Sequence, residues 1–222
     1  MRTVYINLPG IGTPARDLEA GEAPYWISED FYVEILDRTL ALKGRVEARF
    51  TFDDGNASDI QIGAEALNRR GLSATFFPLS DRIDAVGSLS AADIRALRDD
   101  GHGIGNHGAA HVSWKRLDSA RQAREWREAR AAIAEASGAP VTEAAIPFGS
   151  YDGAVIRGLK AEGYARVYSS DGGAAAPGHY PTPRTSPRND MTMDDIENLL
   201  LGRESLKTTL RRSLAMSVKR RV

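Results

Sequence analysis

Short runs of β-type residues alternate with helical windows along this chain, and that alternation restricts the fold more than any other feature. The β-type runs are residues 3–7, 45–52, 73–78, 103–106, 143–147 and 165–169. Helical windows lie between the later runs, at 59–70, 90–100, 118–137 and 152–162, each followed by a glycine stop: Gly71, Gly101, Gly138 and Gly163. A β-then-α order of this kind builds a parallel sheet or a barrel. In either architecture the chemistry sits at the carboxyl ends of the strands, where the loops converge. Residues 171–190 hold four prolines and three glycines and read as a loop, with a short strand expected near 179–182. A last short helix is expected over 194–201. A chain of 222 residues supports one sizeable core. The expectation is a single catalytic domain over 1–204, opened by a lead-in over 1–44.

Two strand ends carry reactive side chains. The run ARFTFDDGNA, residues 48–57, ends on the adjacent carboxylates Asp53 and Asp54. Two side chains that repel each other do not serve stability there. The stretch GHGIGNHGAAH, residues 101–111, places His107 and His111 four apart. On a helix that spacing puts both imidazoles on one face, able to share one metal ion. The chain has no cysteine, so any metal must be held by His, Asp or Glu. Taken alone, DD before glycine is a turn and HxxxH is a pair of surface histidines. Together, on successive strand ends of a chain with only four histidines, they favour a three-ligand site. Three protein ligands leave positions open for water, which is the layout of a catalytic site. One carboxylate would bind the ion, and the other would accept a proton from water whose pKa the ion lowers towards about 7.

FTFDDG at 50–55, GHGIGNHGAAH at 101–111 and IPFGSYD at 146–152 resemble, in order and separation, the first three motifs of the polysaccharide deacetylase family, the NodB-like carbohydrate esterase family 4. The resemblance spans residues 45–190. It implies an α/β fold, a distorted (β/α) barrel of about seven strands. It also implies a hydrolase acting on carbon–nitrogen bonds, removing N-acetyl groups from an amino-sugar glycan or its precursor. The implied cofactor is a divalent metal, Zn²⁺ first, with Co²⁺, Ni²⁺ or Mn²⁺ as substitutes. Carried over residue by residue, Asp53 is the general base that activates a metal-bound water. Asp54, His107 and His111 are the metal ligands. The backbone N–H of Phe148 is an oxyanion donor, the kind of group a tetrahedral intermediate needs where its charge develops.

Three positions depart from the family pattern. Gly108 stands where many members have Ser or Thr, so the loop after the first metal histidine is expected to be looser. Ala145 stands where an Arg often contacts the base, so Asp53 is expected to lose a charge partner and be less depressed in pKa. The late Leu-x-His motif that supplies a general acid is missing. His179 is the one histidine after His111 and is one candidate for that role. Arg184, in TPRTSP, is a second candidate near the last strand, better suited to an anionic substrate or the oxyanion than to proton donation. Two alternatives stay open: a catalytically silent carbohydrate-binding barrel in a polysaccharide biosynthesis complex, and a deacylase of a non-sugar linear amide.

The remaining expectations are plainer. His102 reads as structural, Asp152 as a helix N-cap and Asp171 as a turn residue. Trp114 suits either a sugar cleft or the core, and Tyr25 and Trp26 are placed at the cleft border. From Ser205 onward there are six basic residues and no acid, with Leu206, Leu210, Leu214, Val218 and Val222 at four-residue spacing. That pattern reads as a basic amphipathic C-terminal helix, 205–222, docked on the barrel or in peripheral contact with an anionic membrane. The rest of the chain is net acidic, which argues against nucleic acid as a partner. The first residues lack a secretory pattern and no run is long enough to span a membrane. A cytoplasmic protein, peripheral at the inner membrane face, is therefore expected.

Overall fold

The computed structural model describes residues 1–203 together with Leu214, Met216, Val218 and Lys219. The expected basic C-terminal helix therefore lies outside the described residues, apart from those four positions. No helix among the described residues is long and apolar enough to cross a membrane.

The strands in chain order are β1 (Arg2–Leu8), β2 (Gly10–Ile11), β3 (Trp26–Ile27), β4 (Val46–Asp54), β5 (Ala74–Pro78), β6 (Gly103–Ile104), β7 (Glu143–Ala145), β8 (Arg166–Ser169), β9 (Ala174–Ala175) and β10 (Thr182–Pro183). Seven of them form a parallel wall in the order β1-β4-β5-β6-β7-β8-β10. Two single bridges join its sheets, Asn106↔Ala144 on one side and Ile6↔Thr185 on the other, both parallel. The expected distorted (β/α) barrel is thus what forms, closed by short contacts rather than by long ladders. The antiparallel strand β9 lies against the start of β1, and β2 pairs with β3 outside the wall.

The sequence period of two decides which side chains meet in the lumen. Val4, Ile6, Leu8, Phe50, Phe52 and Phe76 point outward into the main apolar layer. Their neighbours Tyr5, Asn7, Thr51, Asp53 and Phe77 are buried on the other side, around Ala145 and Tyr168. Each large apolar side chain removed from water contributes about 1.5–3 kcal/mol. A one-residue slip of β4 would exchange Phe52 for Asp53 in that layer, so the pattern pins the register.

Helices α1 (Glu29–Ala41), α2 (Glu65–Asn68), α3 (Ala91–Asp99), α4 (Ser119–Ala123), α5 (Ala129–Ser137), α6 (Gly153–Ala161) and α7 (Met193–Leu201) cover the wall. The main layer lies under α1, α3 and α7, whose Ile35, Leu97 and Leu199 are buried there. A second layer around Trp114, Trp126, Val155, Leu159 and Val167 lies under α6 and the segment Arg124–Glu128 that precedes α5. Ser90 and Thr192 head α3 and α7 with full capping boxes, each of which satisfies two donors that a bare helix start leaves orphaned.

Three local expectations are corrected. Within residues 1–44 the expected strand forms as β1, and a helix that was not expected, α1, follows it. Ser28 caps α1 by accepting from Phe31 N at 3.2 Å, and Tyr32, Ile35, Leu36 and Thr39 form its buried stripe. The glycines and prolines upstream hid a helix whose own signals were present. The helix over 59–68 opens with a π segment, Asp59–Ala64, and the helix over 119–137 widens into one at Arg124–Glu128. The second of these segments holds Glu125 and Trp126 in the buried layer. Finally, His107 and His111 are not on a helix. They lie on the loop between β6 and α4.

Candidate active site

A cavity of about 380 Å³ opens at the carboxyl ends of the strands. Asp53, Asp54, His107, His111, Phe148 and Arg184 all line it, as do Asn7 and Tyr25. The chain reaches this arrangement through strained backbone. Successive residues of a strand point to opposite faces, so Asp53 and Asp54 could not both reach one cavity from regular β-structure. Asp54 takes a left-handed φ of 75° and Gly55 one of 71°, which turns the strand end and brings both carboxylates to the same side. His111 (φ 52°) and Phe148 (φ 57°) are left-handed too. Such conformations cost on the order of 1–3 kcal/mol each and persist where the surroundings over-determine them.

The two aspartates have opposite environments. Asp53 is gripped by Arg184, with Nη1 donating to Oδ1 at 2.8 Å and Nη2 to Oδ2 at 2.7 Å. Asn7 Nδ2 donates to Oδ2 at 3.0 Å. Burial opposes the ionised form of Asp53, but Arg184, with Asn7 beside it, outweighs it and holds the carboxyl below the usual carboxylate range. Asp54 has no such partner. Burial pushes its carboxyl up, with Asp53 adding to the rise and the two histidines opposing it. Among the described residues its Oδ1 is buried and accepts no hydrogen bond. The nearest cationic nitrogen to the other oxygen is Arg16 Nη2, 3.9 Å from Oδ2.

The histidines face that orphaned oxygen. His107 Nε2 lies 3.5 Å and His111 Nε2 3.4 Å from Asp54 Oδ1. His107 Nδ1 donates to the Ala145 carbonyl at 2.9 Å, which fixes the tautomer and leaves an Nε2 lone pair towards Asp54. Burial also pushes the His107 pKa down, favouring the neutral imidazole. The ligand atoms of Asp54, His107 and His111 all lie within 4.8 Å of one another. A buried carboxylate oxygen without a donor, faced by two imidazole nitrogens, fits a divalent cation. This N₂O donor set suits zinc and leaves room for water and substrate.

Two expected weaknesses are compensated from elsewhere. The charge partner missing at Ala145 is supplied by Arg184 at the end of β10. Its guanidinium is fully buried and also donates to Asn7 Oδ1 at 2.9 Å and Thr51 Oγ1 at 3.1 Å. It lies over the rings of Phe77 and Tyr168, at 5.6 and 5.5 Å. Arg184 lines the cavity while gripping Asp53 through both terminal nitrogens, so Asp53 keeps a charge partner despite Ala145. The loop at Gly108 is likewise braced, by Glu125. That buried carboxylate accepts from Ala109 N at 2.8 Å and from Trp114 Nε1 at 3.4 Å, while Asn106 Oδ1 accepts from Gly108 N at 2.9 Å. Gly108 has φ +96°, and a Cβ there would run into Glu125 Oε2. Gly108→Ser is therefore expected to cost about 2 kcal/mol of stability, read as a lower urea midpoint. An unchanged midpoint would mean that Glu125 does not hold this loop.

The other expected residues fall as follows. Phe148 is 60% exposed, and its ring packs on His111 with centroids 4.3 Å apart. His179 does not line the cavity; its Nδ1 accepts from Ala176 N at 3.2 Å in its own loop. Trp114 is core, and Trp26 is buried against Gly10. Tyr25 borders the cavity. Asp152 caps α6 by accepting from Ala154 N and Val155 N. His102 is buried, accepting from Ala74 N at 3.3 Å. Asp171 accepts from Tyr151 and Ser169 hydroxyls, at 2.7 Å each.

Sequence reasoning missed Asn7, Arg16 and Glu19. Asn7 carried a signal, being the polar residue on the inward side of an apolar strand. Arg16 and Glu19 lie in an irregular loop, where no periodicity points inward.

The sequence model of a family described as polysaccharide deacetylase matches residues 44–167. Among solved structures, a polysaccharide deacetylase from Bacillus cereus superposes with a TM-score of 0.75 at 17% identity, over 90% of this chain and 69% of its own. The Streptococcus pyogenes deacetylase PplD gives 0.74 at 14% identity, over 90% of this chain and 98% of its own. A de-N-acetylase from Aggregatibacter actinomycetemcomitans also gives 0.74 at 14%, over 90% and 100%. At these identities the likeness is one of fold. Comparison with curated proteins finds no match.

Proposed function

The chain belongs to the polysaccharide deacetylase family, and from that premise we propose that it removes N-acetyl groups from an amino-sugar glycan or its precursor by metal-assisted hydrolysis. The observation that carries the metal-assisted reading is the buried, donorless Asp54 Oδ1 between two imidazole nitrogens. Asp54, His107 and His111 would hold the ion. A divalent ion there supplies Lewis-acid activation of a water molecule and of the acyl oxygen. That the Streptococcus pyogenes structure was solved in complex with acetate, the product this reaction releases, is consistent with it.

The chain's own groups divide the remaining work. Asp53 stays ionised because Arg184 holds it so, and it accepts the proton lost by the attacking water. The Phe148 N–H donates to the oxygen on which negative charge develops. The leaving amine needs a proton. Among the described residues lining the cavity, His107 and His111 are the only imidazoles, and both are assigned to the ion. Asp53 therefore returns to the amine the proton it took. Tyr25 and the exposed ring of Phe148 offer flat apolar faces for the sugar at the cavity mouth.

The test is metal content on stripped protein reloaded with Zn²⁺ or Co²⁺, followed by acetate release from acetylated amino-sugar oligomers. About one ion per chain, lost in His107→Ala and Asp54→Ala, is the expected result. Failure of the native chain to bind either ion would overturn the metal-assisted reading. Binding with acetate release only from linear amides would move the substrate class away from sugars.

A further inference from the structure

His107 and His111 are held by different means, and the difference points to the loop between β2 and β3. The His107 ring is tied to a strand carbonyl, Ala145 O, inside the barrel. His111 sits on an irregular loop in a left-handed conformation, with no helix or strand of its own to aim it. Its Nδ1 lies 2.7 Å from Glu19 Oε2, a carboxylate 92 positions away in sequence. Since a carboxylate accepts, Nδ1–H donates, and Nε2 is left with its lone pair towards Asp54. Glu19 is itself braced: its other carboxylate oxygen pairs with Arg82, and its backbone N donates to Glu22 Oε2 at 2.8 Å. Glu22 is in turn ion-paired to Arg16, whose Nε donates to Asn56 Oδ1 at 2.8 Å, just beyond the Asp53–Asp54 pair.

We propose that Glu19 is a positioning residue for the ion site, holding His111 in the tautomer and orientation that ligation needs, so that the loop over residues 12–25 is part of the centre. The inference rests on the reading of Asp54, His107 and His111 as the ion site. Glu19 lies outside the segment matched by the family model, 44–167. Carboxylates behind metal-binding histidines typically change affinity by about 10–100-fold. Glu19 is 40% exposed in its side chain, so water competes for its hydrogen bond and the lower end of that range is expected.

The experiment measures Co²⁺ affinity by competition with a chelator, together with the Co²⁺ visible spectrum and the unfolding midpoint of the metal-free protein. It compares the native chain, Glu19→Ala and Glu19→Gln. Glu19→Ala is expected to bind about tenfold more weakly, with an altered spectrum and an unchanged metal-free midpoint. Glu19→Gln keeps an acceptor oxygen at the same reach and is expected to recover most of the affinity, which a purely electrostatic role would not allow. Native-like affinity in Glu19→Ala overturns the proposal and leaves the ion site standing. Affinity in Glu19→Gln as weak as in Glu19→Ala overturns positioning by the hydrogen bond. Absence of Co²⁺ binding by the native chain overturns the ion site itself, and this inference with it.

Discussion

Asp53→Asn is expected to lower acetate release by about 10²–10⁴-fold, the usual worth of a positioned general base, while the ion content stays near that of the native chain. The amide is nearly isosteric but cannot take a proton from water. Because the same residue is proposed to return that proton to the amine, no second group would rescue the reaction at neutral pH. Asp53 Oδ2 lies 3.9 Å from His107 Nε2, beyond hydrogen-bond reach, and Asp54 Oδ1 keeps its two nitrogen neighbours. Loss of activity with retained metal would separate the base from the ligands. Activity within about tenfold of the native chain would be too small a loss for a general base, and the role would pass to another group.

Arg184→Met is expected to cost about 3–5 kcal/mol of stability, the typical effect of removing one partner of a buried ion pair. Arg184 is fully buried, so no water replaces its hydrogen bonds to Asp53, Asn7 and Thr51. The loss would show as a lowered midpoint in urea unfolding. Asp53→Asn leaves the opposite charge stranded and is expected to destabilise by a comparable amount, so its kinetics must be measured where it is folded. The double variant Asp53→Asn with Arg184→Met removes both charges. It is expected to be more stable than the sum of the two single losses allows, because neither partner is left buried and uncompensated. Additive losses in this cycle would mean that the two groups are not coupled as the 2.7 Å and 2.8 Å contacts require.

Much of the site was legible before any fold was known. DD before glycine and HxxxH at strand ends point to a three-ligand site with a carboxylate base beside it, because ligand chemistry restricts the residue types and the βα order restricts where they sit; which aspartate takes which role came only from the family resemblance. The geometry that joins them was less legible. The four-residue spacing of His107 and His111 suggested a helix, yet the two rings converge from a loop. Ala145 and Gly108 looked like losses because the compensating groups, Arg184 and Glu125, lie far from them in the sequence. His179 looked like a candidate acid by its residue type alone, and the fold leaves it outside the cavity.

Residue order by itself determined the βα alternation of a parallel sheet or barrel, most of its strand and helix positions and the residue types of the candidate site. Hydrophobic period, capping signals and short-range spacing are local properties and are written locally. Only the tertiary structure decided which charge stabilises Asp53, what braces the histidine loop and what holds His111. Those partners are 131, 16 and 92 positions away. They meet because the barrel closes and its loops fold over one end, and no local pattern encodes a contact whose partner is chosen by closure.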